Sequence, residues 1–247
     1  MSKGLKNLSS KEYPGRVIII GQDNSGENTV VIYVITGRSP SSKARKLDYD
    51  RNTIWVKPTD EEILKKGNID LLIYPAIFIL SQGIAVSNGK QTKDIKTCLE
   101  QSQNTAEILA LALQKWSFEP DAPTYTPRIS GCVLSQKRAA FSLIKRAFDG
   151  SSEKTIFEFS LKVGQGKMIA TYAGENKDPL PSFFGEPVSV EIEKKTAADV
   201  AKEVYKALKP AKKEKDFRVG VACVFFKNLE SGQYNVSIIN RYERGKD

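Results

Sequence analysis

Short apolar runs separated by turn residues recur along most of this 247-residue sequence, and they restrict its fold more than any other feature. Glycine, proline, asparagine and aspartate bound the runs, which is the pattern of β-strands joined by tight turns. In the first half, strands are predicted over residues 16–20, 30–35, 53–57, 70–80 and 83–87. The run 70–80 is apolar almost throughout, as in a strand covered on both faces, and Pro75 within it predicts an irregularity.

The second half continues this pattern as sequential hairpins. The predicted pairs are residues 129–135 with 139–144, 155–162 with 167–172, and 218–226 with 234–239, and a single strand is predicted over 188–192. A frayed start is expected over residues 1–13. Residues 172–187 form a long loop rich in proline and glycine, which is either a binding element or a plain connector.

Helical periodicity marks two longer segments. Residues 92–115 place their apolar side chains near one face, and a weak stretch at 101–104 allows two helices there. Thr196 is a natural N-cap for a helix that Pro210 stops, and a short helix is predicted over residues 59–66. Many strands, mostly in sequential hairpins, together with two substantial helical segments indicate an α+β fold. Its sheets would be mostly antiparallel and covered by helices, in two layers or in four. No long polar linker interrupts the chain, so a single domain over residues 1–247 is expected.

The loop at residues 36–45 concentrates basic and hydroxyl side chains. Pro40 and three serines are expected to prevent an immediate helix there. The loop would then present several donors close together, namely Arg38, Ser39, Lys43 and Arg45. Guanidinium forks, an ammonium group and short hydroxyls are suited to holding a phosphate. A solvated basic turn is the alternative, and composition alone favours it.

Charge and composition narrow the chemistry. Lys and Arg number 38 against 29 Asp and Glu, and the net charge of +9 favours an anionic partner. The chain contains no histidine, so histidine-activated nucleophiles, histidine bases and histidine metal sites are excluded. Three widely spaced cysteines, without a secretory leader or a membrane-spanning run, predict a cytoplasmic protein with reduced thiols and no structural metal.

A proline-rich loop at residues 117–128 carries the carboxylates Glu119 and Asp121. In an extended chain these two side chains would point the same way, and paired acids on a rigid loop are a plausible acid–base device. Solvated loop charges are the alternative. Tyr74 lies within the predicted strand 70–80, and Asn88 belongs to the turn after the strand 83–87. Each is either structural, as a half-buried aromatic or a turn asparagine, or part of a ligand site at a strand end.

Several short motifs in the first half occur in an order and at a spacing that resemble the archaeal-type IMP cyclohydrolases and their bacterial relatives. The motifs are Tyr13-Pro14-Gly15-Arg16, the loop from Gly37 to Arg45, Leu72-Ile73-Tyr74, Val86-Ser87-Asn88-Gly89, the Glu119/Asp121 loop, and Thr126-Pro127-Arg128-Ile129. Residues 172–176 resemble the bacterial branch. The resemblance implies a four-layer αββα fold like that of the N-terminal-nucleophile hydrolases, without their processed nucleophile.

The resemblance also implies a reaction and a set of roles. The reaction closes the ring of 5-formamidoimidazole-4-carboxamide ribonucleotide with loss of water to give IMP, in de novo purine biosynthesis, without a cofactor or a metal. The implied catalytic residues are Arg38, Tyr74, Glu119 and Asp121. The implied substrate-binding residues are Ser39, Lys43, Arg45, Asn88, Gly89 and Arg128. Glu119→Gln and Tyr74→Phe are expected to fold normally and to lose cyclisation.

Other functions remain open from the sequence. A nucleotide-binding relative with altered or lost activity fits the same motifs. A basic nucleic-acid-binding protein fits the charge, although no familiar nucleic-acid-binding pattern occurs. The expected partner is a purine ribonucleotide, with no nucleic acid and no membrane, and a homo-oligomer is compatible with the sequence.

Overall fold

β-strands dominate the computed structural model, which describes residues 5–59, 73–135, 137–210, 212 and 215–241. The strands are β1 Arg16–Gln22, β2 Thr29–Thr36, β3 Arg45–Asp50, β4 Thr53–Pro58, β5 Tyr74–Ile79, β6 Gly83–Ser87, β7 Arg128–Leu134, β8 Arg138–Arg146, β9 Ser152–Ser160, β10 Gln165–Ala170, β11 Val188–Glu191, β12 Arg218–Asn228 and β13 Gln233–Asn240. The helices are α1 Lys6–Ser9, α2 Pro40–Lys43, α3 Thr92–Leu99, α4 Thr105–Ala112 and α5 Ala197–Ala207.

The strands form two sheets in which every neighbouring pair is antiparallel. One sheet has six strands in the order β11-β10-β1-β2-β12-β13, and the other has seven in the sequential order β3 to β9. The predicted α+β class and the antiparallel sheets are therefore confirmed. The two sheets pack face to face: a Cβ added to Gly131 of β7 would lie 3.0 Å from Ile20 Cδ1 of β1.

The helices cover the outer faces of the sheets. α3 and α4 pack on the seven-stranded sheet, and α5 packs on β12 and β13 of the six-stranded sheet. The order of layers is thus helix, sheet, sheet, helix. Asn240 ties the two sheets together, because its amide accepts a hydrogen bond from Leu47 N and donates one to Leu47 O, both at 2.8 Å. No helix among the described residues is long and apolar enough to cross a membrane.

The longer helices begin where the sequence predicts. Thr196 Oγ1 accepts a hydrogen bond from Asp199 N at 3.1 Å and so caps α5, whose buried face includes Val200 and Val204. Asn104 caps α4 in the same way through Glu107 N at 3.0 Å. The weak stretch at 101–104 therefore separates two helices, and the predicted segment 59–66 lies largely outside the described residues.

Three local predictions are wrong. Pro40 does not prevent a helix: it occupies the first turn of α2, where a missing N–H costs nothing, and Ser39 caps that helix. Residues 155–162 and 167–172 do not form a hairpin, because β9 pairs with β8 while β10 pairs with β1 in the other sheet. The start is not frayed over residues 5–13, since Leu5 and Leu8 are buried, and residues 1–4 of that prediction lie outside the described residues.

Candidate functional site

Polar residues meet where several strands begin or end at one end of the two packed sheets. Arg16 begins β1, Tyr74 begins β5 and Arg128 begins β7, while Asn88 directly follows the end of β6. Glu119 comes from the proline-rich loop and bridges the two sheets through ion pairs to Arg16 and Arg128. Antiparallel pairing places alternate strand starts and strand ends together, so it collects these side chains from distant parts of the sequence.

Glu119 is a buried carboxylate held between two guanidinium groups. Arg16 Nη2 donates to its oxygens at 3.2 and 3.4 Å, and Arg128 Nη1 lies 3.7 Å from Oε1. The exposed fractions are 3% for Glu119, 9% for Arg16 and 8% for Arg128. Burial raises the pKa of Glu119, while Arg16 and Arg128 oppose that rise. A carboxylate whose pKa is raised is a stronger proton acceptor than an ordinary one.

Arg16 is the common neighbour of the polar groups at this end. Burial alone would lower the pKa of Arg16, but the Glu119 carboxylate and the phenols of Tyr74, Tyr172 and Tyr33 hold it well above its usual range. The guanidinium is therefore a permanent positive charge among groups that can exchange protons.

The loop that carries Glu119 is fixed by Asp121. Thr126 donates to Asp121 from its backbone N at 2.6 Å and from its hydroxyl at 2.5 Å, and Glu119 N donates to Thr126 O at 2.9 Å. Both carboxylates predicted as an acid–base pair thus lie near each other. They are not equivalent, because Asp121 uses both of its oxygens to shape the loop while Glu119 faces the two arginines.

Tyr74 faces the space between the sheets because of a β-bulge. Pro75 pairs with Trp55 and Ile77 pairs with Ile54, so Ala76 is an extra residue in β5. The extra residue shifts the alternation of side chains and lets Tyr74 face inward as Ile77 does. The irregularity predicted at Pro75 is therefore present, and it aims the phenol.

The Tyr74 hydroxyl meets a second phenol there. Its oxygen lies 2.9 Å from the hydroxyl oxygen of Tyr33 on β2, and both side chains are buried. Burial, and then the neighbouring Tyr74, raises the pKa of Tyr33 well above its usual value, although Arg16 opposes this. Tyr33 consequently stays protonated at neutral pH and fixes the position of the Tyr74 hydroxyl.

An aromatic cluster forms the next layer toward the basic loop. Tyr172 shares a hydrogen bond with the Thr126 hydroxyl at 2.8 Å and stacks on Tyr13 at a centroid distance of 5.7 Å. Tyr13 in turn meets Phe217 edge to face at 5.2 Å. The cluster links the Glu119 loop to the residues that flank α2.

The loop 36–45 contains one buried basic residue, Arg45, and two partly exposed ones, Arg38 and Lys43. The partly exposed edge of the site that these two residues form with Ser39 is called the rim. Arg45 is 3% exposed and donates to Ser42 O at 2.9 Å, so it holds the loop itself. Lys43 lies 5.9 Å from the Phe217 ring centroid and is partly exposed. Ser39 is exposed, and its hydroxyl accepts from Ser42 N at 3.2 Å as the cap of α2.

Arg38, which was expected beside the reacting groups or the phosphate, also lies at the rim. Its guanidinium is 6.0 Å from the Tyr13 ring centroid and donates to Lys177 O at 3.1 Å and Asn176 Oδ1 at 3.4 Å. It also pairs with the exposed Asp178 at 3.6 Å. Among the described residues its polar contacts are therefore with the long loop 172–187, not with Glu119 or Tyr74.

Asn88 and Gly89 act on Arg128. Asn88 Oδ1 accepts from Gln91 Nε2 at 3.0 Å, and Gln91 Oε1 accepts from Arg128 Nη1 at 3.1 Å. A Cβ on Gly89 would lie 2.5 Å from Gln91 Oε1 and 2.8 Å from Arg128 Nη1, so a side chain at this position would displace these two groups. The Trp116 ring packs 4.8 Å from Arg128 Cζ on another side. Arg128 is thereby held in a single orientation toward Glu119.

This arrangement can bind an anionic ligand at its rim and move protons at its buried end. No cluster of three or more cysteine, aspartate or glutamate side chains suited to a metal ion occurs in the described part of the chain.

Comparison with known proteins assigns the chain to a family. The model of a family described as "IMP cyclohydrolase-like protein" matches residues 13–228, which contain every residue of the site above. The chain belongs to the IMP cyclohydrolase-like family. The predicted resemblance is therefore confirmed. No curated protein matches the chain.

Several residues of this site were not among the predicted catalytic or substrate-binding residues, and three of them carry ionisable side chains that interact at its buried end. They are Arg16, Tyr33 and Tyr172, all of them buried. Arg16 could have been found because it is a charged residue at the start of an otherwise apolar strand. Tyr33 could have been found because its hydroxyl is the only polar side-chain group in the apolar run 30–35. Nothing local distinguishes Tyr172 from an ordinary loop tyrosine.

Proposed function

We propose that this family member is an IMP cyclohydrolase. It would convert 5-formamidoimidazole-4-carboxamide ribonucleotide to IMP and water, in de novo purine biosynthesis. The observation that carries the proposal is the buried Glu119 carboxylate, clamped by Arg16 and Arg128 beside the Tyr33–Tyr74 pair. The family match supports the general class of reaction.

Ring closure depends on an amide nitrogen, which is a weak nucleophile in water. The carboxamide nitrogen of the substrate must attack the formyl carbon, although its lone pair is delocalised into the carbonyl group. The carboxamide nitrogen and the formamide nitrogen each lose one proton, and the formyl oxygen gains two and leaves as water. Holding the two groups in contact can contribute several kcal/mol, and acid–base assistance about 10²–10⁴-fold.

The buried end of the site supplies groups for these proton transfers. Glu119 would accept the proton of the attacking nitrogen, since burial raises its pKa above that of an ordinary carboxyl group. Tyr74 would donate to the departing oxygen, with its hydroxyl positioned by Tyr33 at 2.9 Å. Asp121 would act through the loop that it shapes, by keeping Glu119 in place.

The rim supplies positive charge for the nucleotide's phosphate. Arg38 and Lys43 are partly exposed and flank the Tyr13–Phe217 pair, and Ser39 offers a hydroxyl beside them. Arg45 would contribute its buried charge, while Asn88 and Gly89 would keep Arg128 oriented toward the base and ribose. The proposed chemistry requires neither a metal nor a redox cofactor.

Two broader proposals accompany this one. The helix–sheet–sheet–helix order supports a relationship to the fold of the N-terminal-nucleophile hydrolases. The three cysteines, Cys98, Cys132 and Cys223, are unpaired, which supports a reducing compartment such as the cytoplasm.

Conversion of the formylated ribonucleotide to IMP by purified protein, followed by absorbance with a chelator present, tests the proposal. We expect IMP to form at an enzymatic rate. Saturable binding of the ribonucleotide without conversion would instead identify a nucleotide-binding relative that has lost the activity. Duplex binding with a steep dependence on salt would point to a nucleic-acid-binding protein.

A further inference from the structure

Arg16 carries a hydrogen-bond donor that the folded chain leaves unused. Its side chain is buried, and Nη2 is engaged by Glu119 at 3.2 and 3.4 Å. Its Nε is shielded from solvent and has no hydrogen-bond partner among the described residues. Native structures seldom bury a donor of a charged group without an acceptor, because the loss of hydration is uncompensated. An oxygen supplied by a ligand would satisfy it.

The surroundings of Arg16 indicate which part of a ligand supplies that oxygen. Its guanidinium interacts electrostatically with Glu119, Tyr74, Tyr172 and Tyr33. These are the groups at the buried end, whereas the exposed cations suited to a phosphate lie at the rim. The acceptor for Nε therefore belongs to the reacting end of the nucleotide.

We propose that Arg16 is a catalytic residue whose Nε–H donates to the formyl oxygen of the substrate, an inference that rests on the proposed cyclohydrolase function. When the carboxamide nitrogen bonds to the formyl carbon, the π electrons of the C=O bond move to that oxygen. Glu119 takes the proton from the nitrogen, and Tyr74 protonates the oxygen. The C–O bond then breaks as the proton of the formamide nitrogen moves to the departing hydroxyl group, so that one water leaves. The proton held by Glu119 restores the phenol of Tyr74, and both side chains regain their starting states. Arg16 stabilises the negative charge on the oxygen, which is largest near the transition state.

The test compares Arg16→Lys with Arg218→Lys in the full-length protein. Lysine keeps a charge near Glu119 but removes the Nε–H of the guanidinium. Arg218 is a matched control, because its guanidinium pairs with Asp216 at 2.7 and 2.8 Å at the start of β12, outside the site. Arg16→Lys is expected to lower kcat about 10²–10³-fold with KM changed less than about threefold. Arg218→Lys is expected to keep the wild-type kcat.

A structural role for Arg16 alone predicts a different result. An unchanged kcat in Arg16→Lys, or a raised KM with unchanged kcat, would overturn the inference. If Arg16→Lys does not fold, the inference is tested in the wild-type protein by NMR, through the ¹⁵N resonance of the Arg16 Nε–H group. An inactive substrate analogue that retains the formyl oxygen should shift this resonance, and the unformylated aminoimidazole carboxamide ribonucleotide should not. Equal shifts, or none at saturation, would overturn it.

Failure of the proposed function can be distinguished from failure of this inference. If the wild-type protein produces no IMP, the cyclohydrolase proposal fails, and the formylated ribonucleotide itself becomes a stable probe. A shift of the Arg16 Nε–H resonance with that probe, and none with its unformylated counterpart, would still support the contact. If the two ribonucleotides shift the resonance equally or not at all, the proposed contact between Arg16 Nε–H and the formyl oxygen is refuted as well.

Discussion

Glu119→Gln removes a negative charge from between two buried guanidinium groups. Arg16 and Arg128 lie 3.2 and 3.7 Å from Glu119 Oε1. With glutamine at this position the two positive charges would face each other without their shared counter-ion. Removing one partner of a buried ion pair costs about 3–5 kcal/mol of folding free energy. The glutamine carbonyl can still accept from Arg16, so we expect the lower end, about 3 kcal/mol.

This expectation replaces the one drawn from sequence, in which Glu119→Gln folds normally. The variant should fold with reduced stability and should also lose about 10²–10⁴-fold in turnover, because the proton acceptor is gone. Both effects have one structural origin, the position of this carboxylate within the clamp.

Urea denaturation monitored by circular dichroism measures the stability, with Glu153→Gln as the control. Glu153 pairs with Lys145 at 3.4 Å but its side chain is 49% exposed, so the control should change stability by less than about 1 kcal/mol. Cyclisation is then measured without urea, at a temperature at which all three proteins are folded. If Glu119→Gln matches the wild-type protein in both stability and turnover, the reasoning about the clamp is refuted.

Three further predictions concern proton transfer and helix capping. Because burial raises the pKa of Glu119, the acidic limb of the kcat/KM–pH profile should lie above the ordinary pKa of a glutamate side chain, and a limb at or below that ordinary value would contradict this role for Glu119. Tyr74→Phe should leave the Tyr33 hydroxyl without its hydrogen-bond partner and cost about 1–3 kcal/mol of stability, measured by thermal denaturation. The double change Tyr33→Phe/Tyr74→Phe should recover much of that stability but not the turnover. Recovery of turnover would exclude Tyr74 as the proton donor. Thr196→Ala should cost about 1 kcal/mol of stability in a urea titration and leave kcat unchanged, and an unchanged midpoint would show that the cap does not contribute.

The sequence predicted strands well because each carries its own apolar pattern and turn residues. It failed where pairing depends on the whole fold. The connection after β9 contains glycine and reads like a hairpin, yet the chain passes there from one sheet to the other. The same local sequence suits both outcomes, so only the packing of the two sheets decides between them.

The site was predictable to the extent that single residues stand out. Glu119 was identified through its motif, and its two arginine partners show why it is buried. The pairing of Tyr33 with Tyr74 could not be read from the sequence, because it depends on a bulge and on the approach of two sheets. Arg38 was expected beside the reacting groups or the phosphate, and it lies at the rim, held by the loop 172–187.

Single-turnover ring closure, measured alongside calorimetric binding of IMP, tests most directly whether Glu119 moves protons in this site. We expect the wild-type protein to convert the bound formylated ribonucleotide to IMP with a chelator present. We expect Glu119→Gln, while folded, to bind IMP with similar affinity and to form it at least about 10²-fold more slowly. Equal rates of ring closure in the two proteins would exclude Glu119 as the proton acceptor.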